Sequence, residues 1–272
     1  MPSGHPIATA DDQGLVRGDG CFDAMRILAV DGAAVVENLD AHLARFAASA
    51  RTLELTFDEA TWRELIAQAA AAWTTPPPEA VLKLVQTRGP ESTPGQVTGF
   101  LTVTELDLDA MREARAGISV RTLDRGYRSD GFADAPWLLG GTKLVSYAVN
   151  SAAKRAAARQ GDDDALFVST DGYALEGPTA AVLMLRDGAL STPLPGPSGI
   201  LDSVTVRQIF AEAGAFGVGC EYRPIRVAEL FTADVVWLAS SIRGVCPIRR
   251  LDGRDLTVDE AWAARVAAWG GF

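Results

Sequence analysis

The chain is poor in the residues that build metal centres, histidine-dependent triads and disulfide frameworks. It has two histidines, His5 and His42, and three widely separated cysteines, Cys21, Cys220 and Cys246. Two histidines give little support to a multi-histidine metal site or to a nucleophile–histidine triad, so we expect no metal. An odd number of distant cysteines predicts reduced thiols and therefore a cytoplasmic protein.

Long apolar runs and an excess of positive charge are missing as well. No apolar stretch approaches the roughly 18 residues of a membrane-spanning helix, and the start, Met-Pro-Ser-Gly-His, lacks the basic and apolar regions of a secretion signal. A formal net charge of −10 would repel the phosphates of a nucleic acid. Neither the phosphate-loop motif nor the His-Glu-x-x-His zinc motif occurs. We therefore expect a soluble enzyme or binding protein with no membrane and no nucleic-acid partner.

The composition is that of a globular protein with strands and helices throughout. With 272 residues, 48% of them apolar and 22% charged, the chain is long enough for one large or two medium domains. Alternating and helical spacings of apolar residues, with Asp-Gly turns between them, predict the elements. In the first half these are strands at 22–30, 33–36, 80–88 and 98–106, a helix capped by Asn38, and a helix at 57–73 that is closed by the prolines of 76–78. In the second half they are strands at 118–123 and 234–239, hairpins at 165–176 and 182–192, and helices at 145–160 and 204–213.

The stretch 107–118 looks like a connector between the two halves of the chain. It predicts an N-terminal α+β domain at 1–110, a linker at 111–118, and a C-terminal domain at 119–272. The fold class is accordingly α+β (mixed α/β) with two domains.

One lysine carries most of the chemical information. Lys143 lies in Gly-Gly-Thr-Lys-Leu-Val-Ser-Tyr, ahead of an alanine-rich helical run, and Glu176 follows in Gly-Tyr-Ala-Leu-Glu-Gly after an Asp-Gly turn. An amine, the phenol of Tyr147 and a carboxylate suit a cofactor that binds lysine as a Schiff base and needs an anionic partner for its ring nitrogen. Taken singly, such residues are usually a surface charge or an exposed strand residue. The functional argument depends on their combination.

The combination resembles the class IV family of pyridoxal 5'-phosphate (PLP) enzymes, which includes branched-chain and D-amino acid aminotransferases and 4-amino-4-deoxychorismate lyases. The resemblance covers nearly the whole chain. It is carried by the segments around Lys143 and Glu176 and by five others: 17–23 (Arg-Gly-Asp-Gly-Cys-Phe-Asp), 38–46, 87–89 (Thr-Arg-Gly), 198–201 (Ser-Gly-Ile-Leu) and 236–241. It implies a two-domain fold type IV PLP enzyme, similar to D-amino acid aminotransferase, that works as a homodimer on a small-molecule amine substrate. It also implies that the C-terminal domain at 119–272 is the PLP-binding domain.

The resemblance also implies a role for each matching residue. Lys143 forms the Schiff base with PLP and then moves the proton on the amine-bearing carbon, while Glu176 pairs with the pyridine nitrogen. If the helix includes both positions, Tyr147 lies at i+4 from Lys143 and donates to the phenolic oxygen of PLP. The phosphate is held by Arg45, by Ser241 and by the backbone amides of Ile200 and Leu201. The substrate-binding candidates are Arg88, Trp137, Ile242 and Arg243.

Five positions depart from the family pattern. The phosphate loop has Leu201 and Asp202 where many members have Thr and Arg, which removes a hydroxyl and reverses a charge. Pro178 and Ala181 replace the Ser and Asn that usually follow the glutamate, so side-chain hydrogen bonds are lost. Asp23 stands where aminotransferases commonly carry Glu, and the sequence does not show the consequence.

The details of the motifs favour one branch. The phrases around Lys143, 156–161 and 168–178 look most like members that are aminodeoxychorismate lyases, which convert 4-amino-4-deoxychorismate to 4-aminobenzoate and pyruvate in folate biosynthesis. Lyase is the first hypothesis and transamination of D-amino or branched-chain amino acids the second. A non-catalytic PLP-binding homologue is the third, and the presence of both Lys143 and Glu176 argues against it.

Overall fold

The computed structural model of the chain describes residues 6–73 and 78–272. The chain folds into two compact units. The first unit consists of 1–106 and 142–147, and the second consists of 107–141 and 148–272. The segment that carries Lys143 therefore belongs to the first unit, although the residues on both sides of it belong to the second. Two features of the sequence lie outside the described residues. His5 is one, and the other is most of the proline segment 76–78, which the sequence predicts to end a helix.

The first unit is built on a four-stranded antiparallel sheet in the order β2-β1-β3-β4. Its elements are, in chain order, α1 (Gln13–Val16), β1 (Gly20–Val30), β2 (Ala33–Val36), α2 (Leu39–Thr52), α3 (Glu59–Ala72), β3 (Glu79–Thr87) and β4 (Thr98–Glu105). The hairpin at Asp31-Gly32 and all four predicted strands are confirmed to within two residues. The core lies where Phe46 meets Phe57 and Trp62 edge to face, at centroid distances of 5.6 and 5.1 Å.

Asn38 occupies the predicted N-cap position of α2, but it does not cap the helix with its side chain. Its backbone is left-handed, with φ of 50°, and it forms no side-chain cap hydrogen bond. A residue in that conformation turns the chain sharply from β2 into α2, and Asn tolerates it better than most residues. At α3, Asp58 is the cap, and its carboxylate accepts from the N–H groups of Ala60 and Thr61.

The predicted helix at 145–160 begins later than the sequence indicates. The helix, α5, spans Ala148–Ala158, so Lys143 and Tyr147 both precede it and do not share a helical face. Strand β1 provides the physical reason. The N–H of Phe22 donates to the carbonyl of Lys143 at 2.9 Å, and the N–H of Val145 donates to the carbonyl of Gly20 at 3.0 Å. Backbone groups that pair with a strand are not available for helical bonds.

The second unit contains an eight-stranded mixed sheet in the order β6-β5-β11-β10-β7-β8-β9, with β12 paired to β11. Its strands are β5 (Ile118–Asp124), β6 (Asp164–Val168), β7 (Ala181–Arg186), β8 (Ala189–Thr192), β9 (Cys220–Tyr222), β10 (Val235–Ser240), β11 (Gly244–Leu251) and β12 (Arg254–Asp255). Its helices are α4 (Leu108–Ala116), a 3-10 turn (Pro136–Leu138), α5, α6 (Val204–Ala215), α7 (Val227–Leu230) and α8 (Glu260–Trp269). Alternate residues of β7 and β10 serve two cores, so Val182 and Val236 lie in one and Leu183 and Trp237 in the other.

Two sequence expectations differ from this arrangement in detail. Most of the stretch expected to be a linker, 111–118, is helical, because α4 runs to Ala116 and β5 begins at Ile118. The second half of the predicted hairpin at 165–176 is not a regular strand. Tyr173 to Glu176 pairs with β6 only through the bridge between Val168 and Ala174 and its flanking hydrogen bonds. Within the described residues, no helix is long and apolar enough to cross a membrane.

Candidate active site

Lys143 is fixed from two sides within the first unit. Its carbonyl accepts from Phe22 on β1, and its N–H donates to the hydroxyl of Ser49 on α2 at 3.2 Å. The side-chain nitrogen, Nζ, lies 4.6 Å from the ring centroid of Phe22 and 5.9 Å from that of Tyr147. The two rings meet edge to face at 5.2 Å. The predicted neighbours Lys143 and Tyr147 are therefore brought together, although by an extended segment rather than by a helix.

A buried ionic network lies on the α2 side of β1. The carboxylate of Asp23 accepts from Nε and Nη2 of Arg45, both at 2.8 Å, and lies 2.8 Å from Nδ1 of His42. Asp23 is fully buried and His42 is 1% exposed. Of the three, the sequence singled out Arg45 as a site residue. The signal that identifies Asp23 is an acid within a mostly apolar strand, because an acid is rarely buried without a partner.

The network shifts the pKa values of Asp23 and His42. Burial penalises the charged carboxylate, but the charge of Arg45 and hydrogen bonds from Arg45 and His42 outweigh it, so the pKa of Asp23 lies well below its ordinary value. Burial lowers the pKa of His42, and the nearby cations Arg45 and Lys143 lower it further against the opposing effect of Asp23. His42 is therefore neutral near pH 7 and donates from Nδ1 to Asp23.

Arg88 is held at the end of β3. Its Nε donates to the carboxylate of Asp19 at 2.6 Å, and its Nη2 donates to the carbonyl of Leu53 at 2.7 Å. Both partners belong to the first unit, so these contacts fix the guanidinium within that unit. Its role towards a substrate stays a prediction.

In the second unit, Glu176 and the loop before α6 meet. The carboxylate of Glu176 accepts from the N–H of Leu201 at 3.1 Å. A phosphate at the Leu201 amide would compete with this bond. The loop after Glu176 is closed by backbone bonds, because the N–H of Gly177 donates to the carbonyl of Ala180 at 2.7 Å. Asn150 of α5 donates to the carbonyl of Pro178 at 2.7 Å. These bonds hold the loop without the side chains that Pro178 and Ala181 lack.

The loop that leads into α6 is tightly packed. Gly199 has φ of 72°, and a Cβ there would overlap the ring of Phe132, so a side chain at this position would be strained. Ile200 is buried next to it. Ser203 caps α6 by accepting from the N–H of Val206. The first turn then presents the hydroxyl of Thr205, which lies 3.1 Å from that of Ser241. The helix N-terminus and two hydroxyls form a group of donors that suits an anion.

The turn between β10 and β11 is anchored by two arginines. Arg115 of α4 donates to the carbonyls of Arg243 at 3.0 Å and Ile242 at 3.4 Å. The side chain of Arg243 points back to the fully buried Asp164, with Nη1 and Oδ2 2.6 Å apart. That contact is an ion pair without hydrogen-bond geometry. The guanidinium of Arg243 is thus engaged inside its unit, and its predicted contact with a substrate stays a prediction, as does that of Ile242.

Trp137 lies on the 3-10 turn and is 74% exposed. No ring contact of its indole with the described residues is present, and its place in the substrate pocket stays a prediction. No group of three His, Cys, Asp or Glu residues among the described positions could hold a metal ion.

The donors present fit PLP. The first unit has an amine beside two aromatic rings and a guanidinium fixed by a buried acid. The second has a carboxylate bonded to the loop that leads into α6, and at the N-terminus of α6 the hydroxyl of Thr205 lies beside that of Ser241 from the β10–β11 turn. PLP needs an amine for its aldehyde, an anion for its ring nitrogen and donors for its phosphate.

Comparison with known proteins agrees with this chemistry. The model of the amino-transferase class IV family matches residues 20–251. The bifunctional aminodeoxychorismate lyase / D-amino acid transaminase of Mycobacterium tuberculosis is 40% identical over 265 residues, which cover 94% of this chain and 90% of that protein.

Solved structures agree as well. A fold IV-transaminase from Curtobacterium pusillum superposes with a TM-score of 0.91 at 41% identity and covers 99% of this chain and 92% of that one. A hypothetical aminotransferase of Mycobacterium tuberculosis in its α-ketoglutarate and PMP bound form gives a TM-score of 0.90 at 39% identity and covers 99% and 95%. The same protein is known in a PLP-bound form. The chain belongs to the class IV aminotransferase family and is a PLP-dependent enzyme of fold type IV.

Proposed function

We propose that this enzyme is a 4-amino-4-deoxychorismate lyase, which forms 4-aminobenzoate and pyruvate, and that the same site transaminates D-amino acids. The observation that carries the proposal is the amine of Lys143, which is held against Phe22 and Tyr147. The relative of Mycobacterium tuberculosis that is named for both activities aligns with nearly the whole chain. That relative favours D-amino acids over branched-chain amino acids as the second substrate class.

Each site residue then has one task. When bound, PLP supplies an aldehyde carbon for amines and an electron-accepting ring. The amine of Lys143 removes the proton from the amine-bearing carbon of the substrate and returns a proton later. Glu176 would keep the pyridine nitrogen protonated by pairing with it, and the phenol of Tyr147 would donate to the phenolic oxygen. Arg45, Ser241 and the amides of Ile200 and Leu201 would hold the phosphate. For the Leu201 amide to do so, its bond to Glu176 has to open.

The two reactions share the first proton transfer and differ afterwards. In the lyase reaction, loss of the proton is followed by cleavage of the bond to the neighbouring enolpyruvyl oxygen, which gives an aromatic ring and pyruvate. In transamination, the amine of Lys143 would instead return the proton at the carbon that comes from the cofactor aldehyde, and PLP would keep the amino group when water releases the keto acid. Arg88, Trp137, Ile242 and Arg243 remain our candidates for residues that contact the substrate.

A paired product assay tests the proposal. The purified enzyme loaded with PLP is incubated with 4-amino-4-deoxychorismate, and 4-aminobenzoate and pyruvate are quantified. In parallel, amino-group exchange is measured with D-alanine, D-glutamate and L-leucine. We expect equal amounts of the two lyase products and slower exchange with the D-amino acids. Exchange with L-leucine in the absence of 4-aminobenzoate formation would instead identify a branched-chain aminotransferase.

We further propose a homodimer that acts in the cytoplasm as part of folate biosynthesis. The family resemblance supports the dimer, and the three cysteines, which form no disulfide in the structure, support a reducing compartment. Light scattering coupled to gel filtration gives the assembly state directly.

A further inference from the structure

A buried acid of the second unit pairs with an arginine from a neighbouring turn. Asp164, the first residue of β6, is 0% exposed, and its Oδ2 lies 2.6 Å from Nη1 of Arg243. Side chains alternate along a strand, so Asp164 shares a face of β6 with Leu166. That residue belongs to the core that also contains Leu238 and Cys246. The acid therefore stands on the apolar face of its strand.

The pairing of Arg243 with this acid is incomplete. Its Nε and Nη2 are buried and have no hydrogen-bond partner in the part of the chain that the structure describes. Removal of two charges from water has a large cost, and a pair with unsatisfied donors recovers only part of it. Two apolar residues of similar volume would serve the core as well or better. The stability of the core therefore does not account for Asp164 and Arg243.

Arg243 belongs to the tight turn between β10 and β11. Ser240 of β10 pairs with Gly244 of β11, which leaves three residues for the turn. The N–H of Arg243 donates to the hydroxyl of Ser240 at 3.3 Å. Ser241 lies only two residues before Arg243 in the same turn. A shift of the Arg243 backbone therefore displaces Ser241 as well.

The hydroxyl of Ser241 lies at the N-terminus of α6. It is 3.1 Å from the hydroxyl of Thr205, which is 3% exposed and is in the first turn of that helix. The place of Ser241 relative to the helix N-terminus thus depends on the conformation of the β10–β11 turn. Hydrogen bonds weaken steeply when their geometry departs from the ideal. A small displacement of the turn is therefore enough to weaken a contact between Ser241 and an anion.

We infer that Asp164 is a positioning residue for the phosphate of the cofactor. Asp164 holds the side chain of Arg243, Arg243 fixes the turn, and the turn places the hydroxyl of Ser241. A buried charge pair of this kind specifies one conformation of the turn rather than adding to the stability of the core. The inference rests on the proposed function, because Ser241 must bind the phosphate.

A purely structural role for Asp164 makes a different prediction. If the acid only neutralises Arg243, its loss lowers the free energy of unfolding and affects the binding of all ligands alike. If it positions Ser241, its loss weakens ligands that carry a phosphate and spares those without one. Pyridoxamine 5'-phosphate and pyridoxamine are matched probes, because they differ only in the phosphate and neither forms a Schiff base with a lysine.

The test measures the dissociation constants of these two compounds for the full chain freed of PLP, by quenching of tryptophan fluorescence. We expect Asp164→Asn to weaken the binding of pyridoxamine 5'-phosphate by about tenfold and to change that of pyridoxamine by less than about twofold. The control is Asp162→Asn, since Asp162 is also buried and pairs with Arg121 of β5 at 2.6 Å. This control should leave the ratio of the two constants at the wild-type value.

Two further variants keep the test decisive. Asp164→Asn leaves the guanidinium of Arg243 buried without its counter-ion, which can prevent folding. The double variant Asp164→Asn/Arg243→Met lacks both charges, and it should show the same selective loss of affinity for the phosphorylated compound. In a Ser241→Ala background, Asp164→Asn should have no further effect on the ratio, because effects of residues that act through one another are not additive.

Several results would overturn the inference. They are equal weakening of both compounds, no change for either, and additive effects of Asp164→Asn and Ser241→Ala. An unchanged ratio in Ser241→Ala would overturn it as well, because the phosphate would then not depend on Ser241. Failure of the proposed lyase activity shows itself separately, as absence of 4-aminobenzoate from a wild-type enzyme that still prefers the phosphorylated compound.

Discussion

Asp23 shows what a single short side chain does in this site. The sequence marked it as a departure from the usual Glu without a consequence. In the structure its carboxylate binds Arg45 through two nitrogens and also contacts His42. An arginine held by two hydrogen bonds has fewer rotamers to lose when it meets a phosphate. On the proposed assignment of Arg45 to the phosphate, Asp23 would act on the cofactor through Arg45, as a positioning residue.

His42 gives the first unit a pH dependence. Its pKa in the folded protein is lower than its ordinary value of 6.5, so below that pH the unfolded chain binds more protons and stability falls. Asp23 affects the stability at lower pH. Its pKa is below its ordinary value of 3.8, and its stabilisation is lost only as the pH falls through its lower, folded-state pKa. Of these two groups, it is His42 that lowers the stability between pH 6.5 and 3.8.

The variant His42→Asn tests this. Asn can still donate to Asp23 but does not titrate. From urea unfolding between pH 7 and pH 5, we expect the free energy of unfolding of the wild type to fall more steeply than that of the variant, by roughly 1 kcal/mol per pH unit. The comparison uses slopes, so a constant loss of stability in the variant does not affect it. Parallel curves for the two proteins would show that His42 does not titrate on unfolding.

At the scale of elements, the local sequence pattern predicts the conformation correctly where the backbone hydrogen bonds join residues that are close in sequence. The hairpins at Asp31-Gly32 and Asp187-Gly188 and helix α6 were predictable because turn residues and helical spacing determine them. The segment 142–147 was not, since its hydrogen bonds go to β1, more than a hundred residues earlier in the chain. Its amino acids are compatible with a helix, and a distant partner decided its conformation.

Strand β11 was missed for another reason. Its sequence, Gly-Val-Cys-Pro-Ile-Arg-Arg-Leu, contains Pro247, and a proline argues against a central strand because it cannot donate to the ladder. In the structure β11 lies between β10 and β5, and Pro247 is paired with Trp237. The pairing of the neighbouring residues Val245 and Cys246 with β10 holds the strand in place around it.

Arg115 links α4 to the turn that carries Ser241. Arg115→Met removes two hydrogen bonds to carbonyls and the contact of the guanidinium with the ring of Phe272, at 4.8 Å. We expect the free energy of unfolding to fall by about 1–2 kcal/mol. Arg112→Met, on the same helix and paired with the exposed Asp109, should change it by less than about 0.5 kcal/mol. Denaturant unfolding compares the two, and equal effects would mean that Arg115 does not anchor the turn.

At the scale of the whole molecule, a linear division into domains does not describe the compact units. The sequence predicted domains at 1–110 and 119–272. In the structure the first unit ends at Leu106 and is joined again by 142–147, which carries Lys143 and Tyr147. Composition changes along a chain can indicate where units begin, but they cannot show that a short later segment adds to an earlier sheet. The family was nevertheless evident from the residues around Lys143 and Glu176, while the roles of these residues stay predictions.

The central claim is that Lys143 bonds covalently to PLP, and the scarcity of lysine makes it directly testable. The holoenzyme is reduced with borohydride, and its peptides are mapped by mass spectrometry. The account predicts a phosphopyridoxyl group on Lys143 alone among the three lysines, and none on Lys143→Ala. A group on Lys83 or Lys154, or an unmodified Lys143 in yellow protein, would contradict it.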